Sequence, residues 1–447
     1  MRFLKILATA VGVCWGVTLT PIGEVTGVHF YNFYRSFESR PTSAGWVTGV
    51  GYYTHTATPE EIAEARRHLE ALIREGVEKR GFQQKLEKGI GEGFQKFSPP
   101  NWLRGFFPPS EAEKIGKWLF GALLKWGAKV GEFETPVGRL GKVGIVVVKG
   151  GKIEKVELGV ETPVMDLAIS PTGEIGVLLD CSTGRQLAGR VVLLGKNLKK
   201  EGDWLFKNLT FQLEFTPGEG EKVLALLFTY PTSRWWEGKG IRFFNYKTGQ
   251  FLKRFLLFSG PGTPGKGGLE QGFDYHPPYF QFTATQLITS DGKVHFYPSL
   301  QPVTHLGKLG LWWGVSEDGE YLLSDRTLYK TEKWQKLPPL PRYPYTFQFT
   351  KGALWVTFSP GGAVQFSLPS LKQGVQIGEM VAPTPVGEWV VGVSRRPPLQ
   401  LLLFKKGEGI VARYPLQFKK VVALLPAGPD EVVAVGRDRL LLLKIER

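Results

Sequence analysis

Three features of the 447-residue sequence predict a mainly β protein built from repeated sheets. From Arg139 onward, apolar runs of strand length alternate with polar turns, and no helical period intervenes. The stretch Tyr279–Leu300 returns, altered, as Tyr345–Leu371. Both copies open on Phe-Gln-Phe-Thr (Phe280–Thr283, Phe347–Thr350), pass through two apolar strands around a polar turn, and close on Pro-Ser-Leu (Pro298–Leu300, Pro369–Leu371). The composition suits many short strands and tight turns, with 42% hydrophobic and 13% aromatic residues, 56 Gly and 31 Pro. A β-meander repeated along a chain builds one core by setting sheets side by side.

Taken in order, the chain opens with Arg2 and Lys5, followed by Ile6–Gly23 without a charge. Eighteen uncharged residues at 1.5 Å per residue approach the ~30 Å hydrocarbon core of a bilayer. Residues 1–23 therefore read as a transmembrane anchor or an uncleaved signal. Cleavage sites for a signal peptidase around Val17–Pro21 or at Cys14 are poor. The basic flank would leave the rest of the chain on the extracytoplasmic side.

Residues 24–136 are expected to form a helical and irregular membrane-proximal segment. Thr26–His55 reads as extended chain or short strands. Thr58, Pro59 and Glu61 then supply an N-cap, a first-turn proline and a capping box for an amphipathic helix ending near Gly81. Ser110 and Glu113 cap a second helix. At 100° per residue it gathers Lys114, Lys117, Lys125 and Lys129 on one side and Ile115, Leu119, Leu123, Trp126 and Val130 on the other, with Trp118 at the border. A lysine face, an apolar face and two tryptophans suit an interfacial membrane helix, and equally a helix packed on its own domain. Trp118, Leu119, Leu123, Trp126, Lys117, Lys125 and Lys129 are the candidate membrane contacts.

From residue 137 to the end, strand pairs recur around polar turns. Met165–Leu179, Gly314–Asp325 and Leu354–Phe366 each run strand, Ser-led turn with Gly, strand. The units divide as 164–199, 209–258, 278–305, 310–337, 344–374, 380–416 and 420–446. The last shows three strands, and 142–159 is positioned to supply its fourth and close a ring. Closure matters because it removes exposed sheet edges.

These units resemble the blades of the WD-repeat and quinoprotein-like β-propeller superfamily, over about Pro136 to Arg447. The resemblance is generic, since the Trp-Asp and Gly-His signatures of WD repeats and the tryptophan-docking motifs of quinoprotein repeats are missing. It implies a seven-bladed propeller, with six to eight as the range, over residues 137–447.

No residue pattern points to catalysis. The six histidines do not pair at metal-ligand spacing, no Cys/His cluster exists, and no G-x-S-x-G elbow occurs. Ser259–Gly272 is Gly-rich, but it lacks the Gly-Lys-Ser/Thr ending of a phosphate loop. Asp166, Asp274, His276, Asp291 and Asp325 are the carboxylates and histidine that a metal-dependent lactonase or hydrolase propeller would gather at its channel. Each also fits a turn or cap. No cofactor or metal is expected.

The net charge is +15, and the part after Pro136 holds 39 Lys and Arg against 27 Asp and Glu. That favours anionic partners such as membrane lipids, an anionic surface polymer or an acidic protein. Nucleic acid is disfavoured, because an outward-facing anchor separates the chain from it. Few Met and Asn, with abundant Lys and Glu, suit a thermophilic source. Arg234, Trp235, Trp236, Lys239 and Lys266 lie in the two longest inter-strand loops and are the candidate partner contacts. The resulting expectation is a non-enzymatic, membrane-anchored scaffold for protein–protein or surface recognition in an extracytoplasmic assembly. The alternatives are a surface or vertex protein of a membrane-containing virion and a metal-dependent hydrolase.

Overall fold

The computed structural model describes residues 17–30, 35–54, 142–160, 162–181, 188–218, 222–229, 238–259, 267–268, 274–275, 278–310, 312–358, 362–418 and 420–447. These residues form eight antiparallel sheets, each ordered from an inner strand outward, and one small hairpin at Gly267–Gly268 and Asp274–Tyr275. Blade 1 runs Phe37–Thr42, Gly45–Tyr53, Val143–Lys149, Lys152–Glu157, with His29–Phe30 also paired to its second strand. Blade 2 is Val164–Ile169, Ile175–Asp180, Ala188–Leu194, Lys200–Lys207. Blade 3 is Leu209–Phe215, Val223–Thr229, Gly238–Asn245, Gln250–Ser259. Blades 4 to 7 span 280–305, 313–336, 346–377 and 380–415. Blade 8 takes Val421–Pro426, Glu431–Gly436 and Arg439–Glu446 from the C-terminus and Thr18–Thr26 from the N-terminus. The inner strand of blade 1 touches those of blades 2 and 8, so the sheets close into an eight-bladed β-propeller.

Burial explains why these segments are strands. Inner and middle strands lie between two neighbouring blades and are covered on both faces, so they read as continuous apolar runs. Val164–Ile169 and Val223–Thr229 are buried at every position. Outer strands are covered less and alternate, as in Lys152–Glu157. The apolar clusters sit between blades, such as Val223, Leu227, Phe243 and Phe258 of blade 3 against Tyr279, Phe280 and Leu287 of blade 4. Each such side chain contributes roughly 1.5–3 kcal/mol by leaving water.

The closing strand is paired from Thr18 opposite Glu446 to Thr26 opposite Arg439. Leu19 packs with the blade 7 cluster and Val25 with the blade 1 cluster. At the bulge between Pro21 and Gly23 the backbone nears blade 1, and a Cβ on Gly23 would sit 2.6 Å from Ile153 Cδ1.

The structure corrects the sequence reading in three places. The ring has eight blades rather than seven, because blade 1 is discontinuous: residues 54–142 separate its second strand from its third. The seven contiguous units correspond to blades 2 to 8, except that the first omits the outer strand Lys200–Lys207 and the last the N-terminal strand. Residues 142–159 do not complete the last blade; their strands belong to blade 1, and the N-terminal strand closes the ring instead. The propeller therefore includes residues 18–53, so no boundary falls at 137. The uncharged run is shortened in turn, because Thr18–Gly23 lie in the closing strand. What remains, Ile6–Val17, is shorter than the ~20 residues a spanning helix needs. Among the described residues no helix is long and apolar enough to cross a membrane.

Alternating strand direction gives the propeller two unlike faces. Turns between first and second and between third and fourth strands open on one face, here called lower. Turns between second and third strands, and connections to the next blade, open on the other, here called upper. The lower face carries short turns, such as Ser170–Glu174, Tyr246–Gly249 and Lys406–Glu408, and the longer connection 216–222 of blade 3, together with the chain entering at Thr18 and ending at Arg447. The upper face carries residues 54–142 of blade 1, 181–187 of blade 2, 230–237 of blade 3 and the 260–279 connection to blade 4.

Candidate functional site

Two features stand out: an ionic cluster on the inner strands of blades 1 to 3, and the upper face directly outside the same three blades.

The cluster grows from a recurring device. On several inner strands, and on the second strand of blade 6, a polar side chain reaches across to the backbone of the next blade. Glu38 of blade 1 accepts the Ile169 N–H (3.1 Å), and Asp166 of blade 2 accepts the Leu213 N–H (2.8 Å). Gln212 of blade 3 accepts the Tyr279 N–H (2.6 Å) and donates to the Phe280 carbonyl (2.7 Å). Gln281 of blade 4 accepts the Val315 N–H (2.9 Å), and Thr357 of blade 6 accepts the Ala382 N–H (3.1 Å). The glutamine of the first Phe-Gln-Phe-Thr copy, Gln281, is thus a clamp between blades. Phe211-Gln212 is a further copy that sequence comparison overlooked, because only two residues carry it. Blades 1 and 8 are joined by Ser39 and Thr48, which both donate to the Pro426 carbonyl.

In blades 1 and 2 the clamps are carboxyl groups, and arginines tie them to Glu214 of blade 3. Arg35 donates to Glu214 of blade 3 (2.7 Å) and lies 3.7 Å from Asp166 of blade 2. Arg40 donates to the Ile169 carbonyl (3.0 Å), and Gln212 to Glu214 (3.3 Å). Asp166 is fully buried, and its second oxygen has no hydrogen-bond partner.

Removing these groups from water shifts their proton affinities. Burial and the neighbouring Glu214 carry the Glu38 carboxyl up to about 8, against the pull of Arg35 and Arg40. Burial likewise raises Asp166, partly offset by Arg35 and the Leu213 N–H. Burial alone would weaken the Arg35 charge, but Glu214, Asp166 and Glu38 outweigh it and hold the guanidinium protonated. Three carboxylates facing two guanidiniums hold one negative charge in excess, so retaining a proton neutralises the cluster. The opposite case lies on the lower face. Burial pushes Glu174 up, but the hydrogen bonds from Ser170, Thr172 and Lys222 together outweigh it and bring it down to about 2.

These shifts give a signed pH dependence. A carboxyl raised in the folded state contributes stability that is full below its unfolded value and is lost as pH rises through the folded one. Glu38 therefore costs the fold stability between about 4.5 and about 8. Glu174, held low, costs it as pH falls from about 4.5 to about 2. Glu38→Gln keeps an acceptor for the Ile169 N–H. Urea midpoints measured at pH 5.5 and pH 8 are expected to fall with pH in the wild type and to stay level in this variant.

The residues singled out in the sequence fall as follows. Asp166 is on an inner strand and belongs to the cluster. Asp291 closes the turn between the second and third strands of blade 4, taking a hydrogen bond from Thr289 (2.5 Å). Asp325 caps the corresponding turn of blade 5 and accepts the Trp312 N–H (3.1 Å). The backbone of Asp274 lies in the small hairpin. These aspartates are not brought together, and among the described residues no group of three His, Cys, Asp or Glu is arranged to hold a metal. Lys239 corrects the partner-contact reading. It is 4% exposed, starts the third strand of blade 3, and sits 3.8 Å over the Tyr279 ring, where burial lowers it to about 7. Arg234, Trp235, Trp236, Lys266, His276 and the helix residues Lys117, Trp118, Leu119, Leu123, Lys125, Trp126 and Lys129 lie outside the described residues. The strands around them still fix where they leave the body. Residues 55–141 depart and return on the upper face, where the Thr54 N–H donates to the Lys142 carbonyl (3.1 Å) and the Lys142 N–H to Thr54 Oγ1 (2.9 Å).

No family model matches the chain, and no curated protein matches it. Solved structures with a similar course of chain include BamB from Moraxella catarrhalis, 11% identical over 67% of this chain and 93% of that one, with a TM-score of 0.46. The computationally designed Ika8 protein is 13% identical over 68% and 90%, with a TM-score of 0.43. A chain of the mitotic checkpoint complex is 9% identical over 63% and 86%, with a TM-score of 0.40. The assignment as a β-propeller rests on this chain's own sheets.

Proposed function

We propose that this propeller is a non-enzymatic scaffold that docks another protein, or an anionic surface, on its upper face. The observation that carries the reading is the asymmetry of the two faces. The longest lower-face connection is 216–222, while the inserted residues 54–142 and the segments 181–187, 230–237 and 260–279 leave the upper face at adjacent blades. Rigid elements that display long loops on one side make a recognition platform. The charged clamps hold blades 1 to 3, the blades that carry those loops, in fixed register.

The basic, apolar segment before Thr18, too short to span a bilayer, joins the propeller on the lower face and attaches it to a membrane surface. Strands of six or seven residues separate the faces by about 20 Å. The insertion that carries Lys117, Lys125 and Lys129 leaves and rejoins the propeller on the face opposite the tether, and its excess of lysine suits an acidic partner or anionic polymer.

The test is to replace residues 55–141 with a short Gly-Asn turn between Thr54 and Lys142. The paired backbone bonds at these residues make the junction hairpin-like, so the propeller should keep its circular dichroism and unfold within a few degrees of the full chain. Binding to polyanionic beads should fall at least tenfold. An unfolded product would make the insertion part of the fold, and undiminished binding would remove it from the docking surface.

A further inference from the structure

The outer strand of blade 3, Gln250–Ser259, differs from the other blade edges. Among the described residues it pairs with Gly238–Asn245 on one side and ends the sheet on the other. Sheet edges offer unpaired N–H and C=O groups, and proteins normally blunt them with charges, prolines or short strands. The other outer strands here follow that rule. Blade 1 exposes Lys152, Glu154, Lys155 and Glu157, blade 5 ends in the two residues Gln335–Lys336, and blade 6 exposes Lys372 and Gln373. On blade 2 the exposed Leu205 is flanked by Asp203 and Lys207.

Blade 3 instead exposes Phe255 (58%) and Leu257 (55%). A bulge confines the irregular part to residues 252–254, and Phe255–Ser259 then pair regularly opposite Arg242–Gly238. The strand pair is also one-signed: residues 238–259 contain Lys239, Arg242, Lys247, Lys253 and Arg254 and no Asp or Glu. Lys253 is exposed beside the two apolar side chains.

We propose that this edge accepts an extended segment of a partner protein, alternating apolar and acidic side chains, which adds to blade 3 as a fifth strand. Backbone bonds to the edge supply affinity, apolar residues cover Phe255 and Leu257, and a carboxylate meets the exposed Lys253. The site is independent of the upper-face docking surface, and deleting residues 55–141 should leave it unchanged.

The experiment uses the full chain and a fluorescein-labelled decapeptide alternating valine and glutamate, with a valine–lysine peptide as control. Anisotropy should rise and saturate with the acidic peptide only, and amide exchange at Phe255–Ser259 should slow on binding. Phe255→Lys with Leu257→Lys changes only exposed side chains and should weaken binding at least tenfold. Lys253→Glu should weaken it severalfold. Absence of binding to the wild type, or equal binding by the double variant, overturns the proposal. Concentration-dependent dimerisation that the double variant abolishes and the peptide does not compete would also overturn it, in favour of a second copy of this chain as the occupant.

Discussion

Arg35→Met is expected to destabilise the propeller by about 3–5 kcal/mol, the cost of removing one partner from a buried ion pair. Methionine keeps much of the volume and none of the charge. Asp166 and Glu214 would then lie beside Glu38 without the guanidinium that bridges blades 1, 2 and 3. The expected readout is a lower urea midpoint with an unchanged slope. The loss should shrink at low pH, where the carboxyls take up protons, and should be partly recovered by adding Asp166→Asn, whose side chain can still accept the Leu213 N–H. A loss below about 1 kcal/mol would mean that water reaches these groups and that they act as an ordinary surface pair.

The second large effect concerns ring closure. Removing residues 1–16 should leave the unfolding temperature unchanged within a few degrees, because the closing strand starts at Thr18. Removing residues 1–26 should cost about 5 kcal/mol or more. Leu19 and Val25 lose their burial at roughly 1.5–3 kcal/mol each, and the strand's hydrogen bonds to Arg439–Glu446 add to this. The exposed edge would then carry Leu440–Leu443 and should appear as aggregation in size-exclusion chromatography. Equal stability of the two truncations would contradict closure by the N-terminal strand.

Much of the architecture was legible from the residues. The seven contiguous units correspond to blades 2 to 8, because apolar runs bounded by Ser, Gly, Pro and Asp turns are local signals. The Ser170 and Ser316 turns also share a mechanism, since each hydroxyl accepts the N–H that starts the following strand, at Glu174 and Tyr321. The third such turn, beginning at Ser359, joins second and third strands, so likeness of composition did not mean likeness of position. Blade 1 was hidden because its strands are separated by residues 54–142, and no local pattern reveals a pairing across such a gap. The closing strand was hidden because Thr18–Gly23 are uncharged and merge with the apolar run before them.

The cluster was legible only in part. Asp166 stands out in the sequence only as a candidate metal-site carboxylate, a role it does not have among the described residues, whereas Arg35, Glu38 and Glu214 carry no local signal and meet only through the ring. Lys239 failed in the other direction. Its loop neighbours suggested a surface charge, but it begins a middle strand, and middle strands are covered on both sides.

The central claim, that the lower face lies at the tether and the upper face projects away, can be measured directly. The full chain, with Cys14 and Cys181 changed to serine, would carry one fluorophore on a new cysteine and be reconstituted into liposomes containing a lipid-borne quencher. A label at Glu408, in a lower-face turn, should be quenched, and one at Asp438, in the upper-face turn of blade 8, should not. Quenching at Asp438, or at neither position, would contradict the account.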